Sequence, residues 1–241
     1  MNNNLDIVLS DEIELIQKAY DFCCCDFSHE EIINELSLDN EIKKQLCIIS
    51  LKEVKNQNEA NLLLSNLTNK GGPIREVSAY KINELIKNEE YTHLFQSREI
   101  LNTFIKAIND VNPNVSRSIV EIVYFIDDKE FLINELYNRI FSLFEEINQI
   151  ETAQGQKSHV TTKKSFNLYW CLEAIIQLTP ALRTDKNLEK ILSLASEYDE
   201  YPIREKAAKI LSCLNQENNT IRKLIESLKK DCNMYVRRYL L

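Results

Sequence analysis

The sequence predicts an all-α protein, a stack of about five to six antiparallel helix pairs, and three observations predict it. A four-residue segment occurs twice, as Pro73-Ile74-Arg75-Glu76 and as Pro202-Ile203-Arg204-Glu205. The match runs further, because Ala79, Ile82 and Leu85 fall at the offsets of Ala208, Leu211 and Leu214. Weaker copies fit the same frame at Ile42-Lys43, Val115-Ser116 and Val236-Arg237, with successive spacings from residue 42 of 32, 41, 88 and 33, the third being two units. A period of roughly 33 to 45 residues marks helical-repeat arrays, whose units bury their apolar faces only against their neighbours. Finally, three glycines and four prolines in 241 residues leave little material for β-turns, which points to helices.

Taken in order, residues 1–10 read as a polar lead-in with Ser10-Asp11 as an N-cap, and Ile13, Ile16, Ala19 and Tyr20 recur at helical spacing up to Cys23. Ser28-x-x-Glu31 is a capping box that opens a second helix carrying Ile32, Ile33 and Leu36. Asp39 or Asn40 begins the Ile42 helix, and Asn58 begins its partner, with Leu62, Leu63, Leu64 and Leu67. Gly71-Gly72 ends that partner and Pro73 opens the next helix, which runs to about Asn88. Ile100, Leu101, Phe104, Ile105 and Ile108 form its partner, and Asn112-Pro113 starts a helix from Val115 to Ile126. A long helix follows from Phe131 through Ile147. Glu151 to Lys164, polar and containing Gly155, reads as an inserted loop. A helix with Phe166, Tyr169, Trp170, Leu172 and Ile176 then resumes the array, in a register the sequence leaves open, and Pro180 ends it. Leu188, Ile191, Leu192 and Leu194 form its partner. Pro202 opens a final full pair whose second helix holds Ile221, Leu224, Ile225 and Leu228. The whole of 1–241 reads as one elongated domain, since a repeat array grows its core lengthwise.

Composition narrows the function classes. Seven cysteines, an odd number, and a start at Met1-Asn2-Asn3-Asn4 without a basic or apolar leader fit a reducing cytoplasm. No apolar run approaches the roughly 18 residues of a membrane span. The net charge of −8 argues against a phosphate backbone as the main ligand. The charge is unevenly placed: residues 1–60 carry 13 acidic and 5 basic side chains, whereas residues 203–241 carry 4 acidic and 9 basic. An array stacked in sequence order therefore presents an acidic start and a basic finish.

These residues resemble HEAT repeats. That pattern is a turn with Asp or Asn, sometimes Pro, then Val/Ile-Arg, then two small residues four and five positions later, then Leu. It stands at Asp199 to Ala208 and again from Asp231 to Arg237, while Ser116 and Lys43 depart from it. The resemblance covers about 40–241. It implies an α-solenoid, a ladder of Asp-to-Arg contacts between units, second helices such as Leu188 to Leu192 on the concave face, and a role as an interaction scaffold.

No constellation for chemistry stands out. Cys23, Cys24, Cys25, His29 and Cys47 lack the Cys-x2-Cys spacing of a zinc clamp, and three adjacent helical residues diverge by about 100° each. Glu90-x-x-His93 has no second Glu-x-x-His to complete a di-iron site. His29, His93 and His159 lie in different units with no Gly-rich nucleophile elbow, and the Glu145-Glu146 pair reads as a solvated face. Tyr169-Trp170 could stack a flipped base, as in helical-repeat DNA glycosylases, the alternative reading; that function wants a basic groove and the total charge here is acidic, so core packing is the favoured account of the pair. The expectation is a non-catalytic scaffold without metal or cofactor that binds a protein with a basic surface, one version being an immunity-type inhibitor of a basic toxin. Nucleic acid and membrane are not expected partners. Candidate contacts are Glu30, Glu31, Asn34 and Glu35 on the second helix of the first pair, with Asn61 and Ser65 on the next second helix.

Overall fold

A computed structural model describes residues 27–38, 40–154, 159–215 and 218–241. The helix expected over Ile13 to Tyr20 and the Cys23 to Cys25 cluster lie outside the described residues. Among the described residues there are thirteen α-helices and no strand. The chain divides into two compact units after Phe95, where the sequence alone reads a single domain.

In the first unit, α1 (His29–Glu35) is opened by the predicted reciprocal capping box of Ser28 and Glu31. Helix α2 (Glu41–Ser50) is capped by Asn40, whose side chain accepts the Lys43 amide. Helix α3 (Gln57–Ser65) starts earlier than Asn58 would place it. Its cap is Asn56, which accepts the Glu59 amide at 3.1 Å and donates back to Glu59 Oε1 at 2.9 Å, so the acid at the third position selects the cap. Helix α4 (Gly72–Ile86) has Pro73 in its first turn, as predicted. A short α5 (Glu89–Thr92) and a 3-10 turn (His93–Phe95) follow. Helix α4 packs on both α2 and α3, and Cys47, Ile48, Leu63, Ile74, Ile82 and Phe95 are fully buried there.

The second unit contains α6 (Arg98–Ile108), α7 (Pro113–Ile122), α8 (Lys129–Gln154), α9 (His159–Gln177), α10 (Lys186–Ser196), α11 (Tyr201–Cys213), α12 (Asn219–Leu228) and α13 (Met234–Arg237). First helices α7, α9, α11 and α13 touch in succession, and so do second helices α6, α8, α10 and α12. The result is two helical layers with the core between them. Ala207 and Ala208 are fully buried in that core, as small residues must be where helices approach closely.

One local device sets the frame of the repeats. Before α4, α7 and α13, an Asx side chain accepts the amide two residues on: Asn69 from Gly71 at 2.8 Å, Asp110 from Asn112 at 2.8 Å, Asp231 from Asn233 at 2.7 Å. The residue after the buried Val/Ile then reaches back to the carbonyl six positions earlier. Arg75 donates to Asn69 O at 2.9 Å, Arg204 to Tyr198 O at 2.7 Å, and Arg237 to Asp231 O. Ser116, which departs from the motif, makes the same bond to Asp110 O at 3.3 Å. Arg204 also grips Asp231 of the next unit, at 2.6 and 3.3 Å, which is an Asp-to-Arg rung of the kind the resemblance implies.

The segment expected as an inserted loop is helical at both ends: α8 continues through Gln154 and α9 begins at His159, with residues 155–158 outside the described residues. Polarity misled the reading. Arg139, Ser142 and Lys164 all bond Glu146, so these polar residues form a helix-to-helix network. The register of α9 is set by Thr161, Ser165, Leu168, Leu172 and Ile175, all buried. Two of those five core positions are polar, which hid the stripe.

Candidate interaction surface

The six predicted contact residues form two one-turn patches. On α1, Glu30 and Asn34 lie exposed and one turn apart. Glu31 is exposed but engaged with Ser28, whose hydroxyl and amide hold its carboxyl below the usual range. Glu35 is mostly covered and ion-paired with Lys43 at 3.1 Å. On α3, Asn61 accepts from Gln57 at 3.0 Å and Ser65 donates to Leu62 O at 2.7 Å, both side chains being exposed. Glu31 and Glu35 thus perform local structural tasks, which leaves Glu30 and Asn34 as the accessible part of the α1 set.

The other singled-out residues are held in structural roles. His29 Nε2 lies 2.9 Å from Glu59 Oε2, joining α1 to the start of α3. Burial pushes the Cys47 thiol up to about 11. Among the described residues, no three His, Cys, Asp or Glu side chains gather closely enough to hold a metal ion. Glu90 and His93 are exposed. Trp170 is 7% exposed and meets Phe166 and Tyr169 edge-on, while Lys206 Nζ covers the Tyr169 ring at 4.3 Å. No open aromatic platform remains there for a base. Glu145 is exposed as expected, but Glu146 is not a solvated residue. Burial pushes its carboxyl up, yet hydrogen bonds from Lys164 and Ser142 and the charge of Arg139 outweigh that and bring it down to about 2.

The feature that sequence reasoning missed is a pair of separate cavities along α8, one toward the segment that precedes α10 and one toward the C-terminal end of α10. These second helices pack inward through Leu136, Ile140, Leu143 and Ile147 of one, and through Leu188, Ile191, Leu192 and Ala195 of the other. Their outer sides leave two cavities. One, of about 260 Å³, is bordered by Ile133, Asn134 and Tyr137 together with two basic residues, Lys129 and Arg183, and two acidic ones, Glu130 and Asp185. The second, of about 240 Å³, is bordered by Phe144, Asn148, Leu194 and Tyr198, with Glu151, Glu197 and Asp199 supplying carboxylates and no basic residue in its lining among the described residues. Phe144 and Tyr198 meet edge-on at 6.0 Å. Burial, together with the charges of Glu200, Glu151 and Asp199, pushes the Tyr198 phenol up, which registers a negative field at that end. Between the cavities, Lys190 Nζ sits 5.1 Å over the Phe141 ring. The sequence signal was available: Phe141 lies off the apolar stripe of α8, where an aromatic has no place in the core.

No protein-family profile matches the chain, and no curated protein matches its sequence. Solved structures do match in fold. A designed armadillo repeat protein aligns with a TM-score of 0.52 at 13% identity, covering 88% of this chain and 97% of that one. An engineered protein aligns with a TM-score of 0.51 at 13% identity, covering 89% and 96%. The complex of CpcE and CpcF of phycocyanin lyase from Nostoc sp. aligns at 15% identity over 90% and 75%, with a TM-score of 0.48. The fold is that of the armadillo/HEAT helical repeats.

Proposed function

We propose that the chain is a non-catalytic interaction scaffold that binds a partner protein through its second-helix face. The observation that carries this reading is the one-sided packing of α8 and α10: their inner sides close the core, and two cavities with aromatic and charged walls open beside their outer sides. Such a mixed, concave surface suits a protein partner. The residues that could suggest catalysis are occupied structurally, Glu146 by three donors and His29 by Glu59. The finer reading is that the partner is basic, as a toxin domain neutralised by an immunity-type inhibitor would be. Its support is the net charge of −8, the 13 acidic residues within 1–60 and the cavity lined by Glu151, Glu197 and Asp199. Glu30 and Asn34 on α1 would add contacts, whereas Glu31 and Glu35 would act mainly by holding α1 together.

Photo-crosslinking in cells tests this reading. A crosslinking residue at Asn138 or Ser193, on the second helices, should trap a defined basic protein, and one at Arg117, exposed on α7, should not. Adducts dominated by nucleic acid, or equal yields from all three positions, would contradict it. With the partner in hand, Glu30→Lys with Asn34→Lys should slow association and weaken its salt dependence while leaving the capping box intact.

A further inference from the structure

The cavity of about 260 Å³ beside the first turns of α8 holds opposite charges apart. One wall is a stripe of α8, Glu130, Ile133, Asn134 and Tyr137, whose spacing of three and four residues puts them on one helix face. The other wall is the non-helical stretch before α10, from which Arg183 and Asp185 both border the cavity. Arg183 is exposed and makes no ion pair among the described residues, not even with Asp185 two positions away. Asp185 uses one carboxylate oxygen to accept the Leu188 amide at 2.8 Å, and its other oxygen has no hydrogen bond among the described residues. Lys129, by contrast, is committed: its ammonium donates to the Tyr124 and Ile126 carbonyls, each at 2.7 Å. Tyr137 is the informative member of the set. It is only 2% exposed and borders the cavity, yet its hydroxyl has no hydrogen-bond partner among the described residues, although buried polar groups almost always have one. Burial, with the charge of Asp185, pushes the phenol up, so it stands there as a neutral donor.

We propose that this cavity binds a small zwitterion of the α-amino-acid class, its carboxylate meeting the Arg183 guanidinium and the Tyr137 hydroxyl, and its ammonium meeting the open oxygen of Asp185 and the carboxylate of Glu130. A charge-balanced lining disfavours any ligand of one sign: an anion would face Glu130 and Asp185, and a cation would face Arg183. A molecule carrying both charges answers both. The volume lies just below the roughly 300–1,000 Å³ of pockets for drug-sized ligands, which suits a molecule of amino-acid size. Ile133, Ala181 and the Tyr137 ring supply apolar surface for a short aliphatic side chain. So small a ligand leaves the rest of the second-helix face open to a partner protein, and its binding does not depend on that partner.

The probe is L-leucine, titrated into the purified full chain by isothermal calorimetry, with leucinamide and N-acetyl-L-leucine as analogues that each keep one charge. Leucine should bind with a Kd below about 1 mM, and each analogue about tenfold more weakly. Arg183→Gln should weaken leucine by about tenfold and Tyr137→Phe by about fivefold. Both variants should keep the urea midpoint of the ligand-free chain, because Arg183 is exposed and the Tyr137 hydroxyl has no partner in the fold; a merely structural tyrosine would not behave so. Four results would overturn the proposal. They are no binding heat up to about 10 mM leucine, which would leave a cavity holding solvent alone; an analogue binding as tightly as leucine; unchanged affinity in Tyr137→Phe; or a lowered ligand-free midpoint in that variant. The in-cell crosslinks from Asn138 and Ser193 report on the partner separately, so adducts there without leucine binding would remove the zwitterion site alone.

Discussion

Replacing Arg204 by methionine tests the repeat device most severely. The guanidinium donates to Tyr198 O and Asp199 O, each at 2.7 Å, and to both oxygens of Asp231, at 2.6 and 3.3 Å. Its side chain is 14% exposed and that of Asp231 only 7%. Methionine keeps the aliphatic stem and removes every guanidinium donor, leaving the covered Asp231 carboxylate with the Asn233 amide but without its charge partner, and taking the Arg204 donors from two turn carbonyls. Breaking a buried pair in this way costs about 3–5 kcal/mol, and the residual exposure of Arg204 puts this case at the lower end, about 3 kcal/mol. For a chain of this length that is a fall in melting temperature of roughly 6–12 °C. Urea and thermal unfolding followed by circular dichroism read it directly. A double-mutant cycle with Asp231→Ala should show coupling of about 1–3 kcal/mol. The Arg204 hydrogen bond, against burial and with help from the Asn233 amide, holds the Asp231 carboxyl below its ordinary value of 3.8. Its stabilisation is therefore fully present above that value and is lost as pH falls below it. A destabilisation under about 1 kcal/mol, or coupling near zero, would refute the claim that this contact locks adjacent units.

Three further outcomes follow from particular residues. Ala207→Leu should destabilise by about 1–3 kcal/mol through overpacking, because Ala207 has no exposed surface; an unchanged melting temperature would show that the position is not between packed helices. Glu146→Gln should flatten the acid limb of stability, since a carboxyl lowered from 4.5 to about 2 stabilises above 4.5 and loses that contribution as pH falls toward 2. Its side chain is 30% exposed, so solvent screening limits the effect to about 1 kcal/mol, read from urea midpoints at neutral pH and near pH 3. Asn56→Ala should cost about 1 kcal/mol and Asn58→Ala less than about 0.5; the reverse order in urea denaturation would restore Asn58 as the cap.

The frame of the fold was readable because its determinants are local. Pro73 and Pro202 open helices, Ser28 and Glu31 cap reciprocally, and the buried Ile74, Val115, Ile203 and Val236 recur at one structural position. What escaped was polar structure inside helices. Thr161 and Ser165 occupy core positions, and the Ser165 hydroxyl is satisfied by Tyr198 and Glu200 at 2.7 and 3.2 Å, so the polar run from His159 onward is helix. The contact set on α1 was half legible. A charge count places the acids but cannot reveal that Lys43 claims Glu35 and that Ser28 claims Glu31. The cavities along α8 were half legible: Phe141 stands off the apolar stripe, but its partner Lys190 reaches it only when two second helices 49 residues apart pack side by side.

Hydrogen exchange on the protein with and without its crosslinked partner tests the central claim, that the second-helix face is the binding face. The account predicts added protection in α8 around Asn134 to Asn148 and in α10 around Lys186 to Leu194, with α7 and α11 unchanged. Protection confined to α7, α9 and α11, with α8 and α10 exchanging as in the free protein, would contradict it.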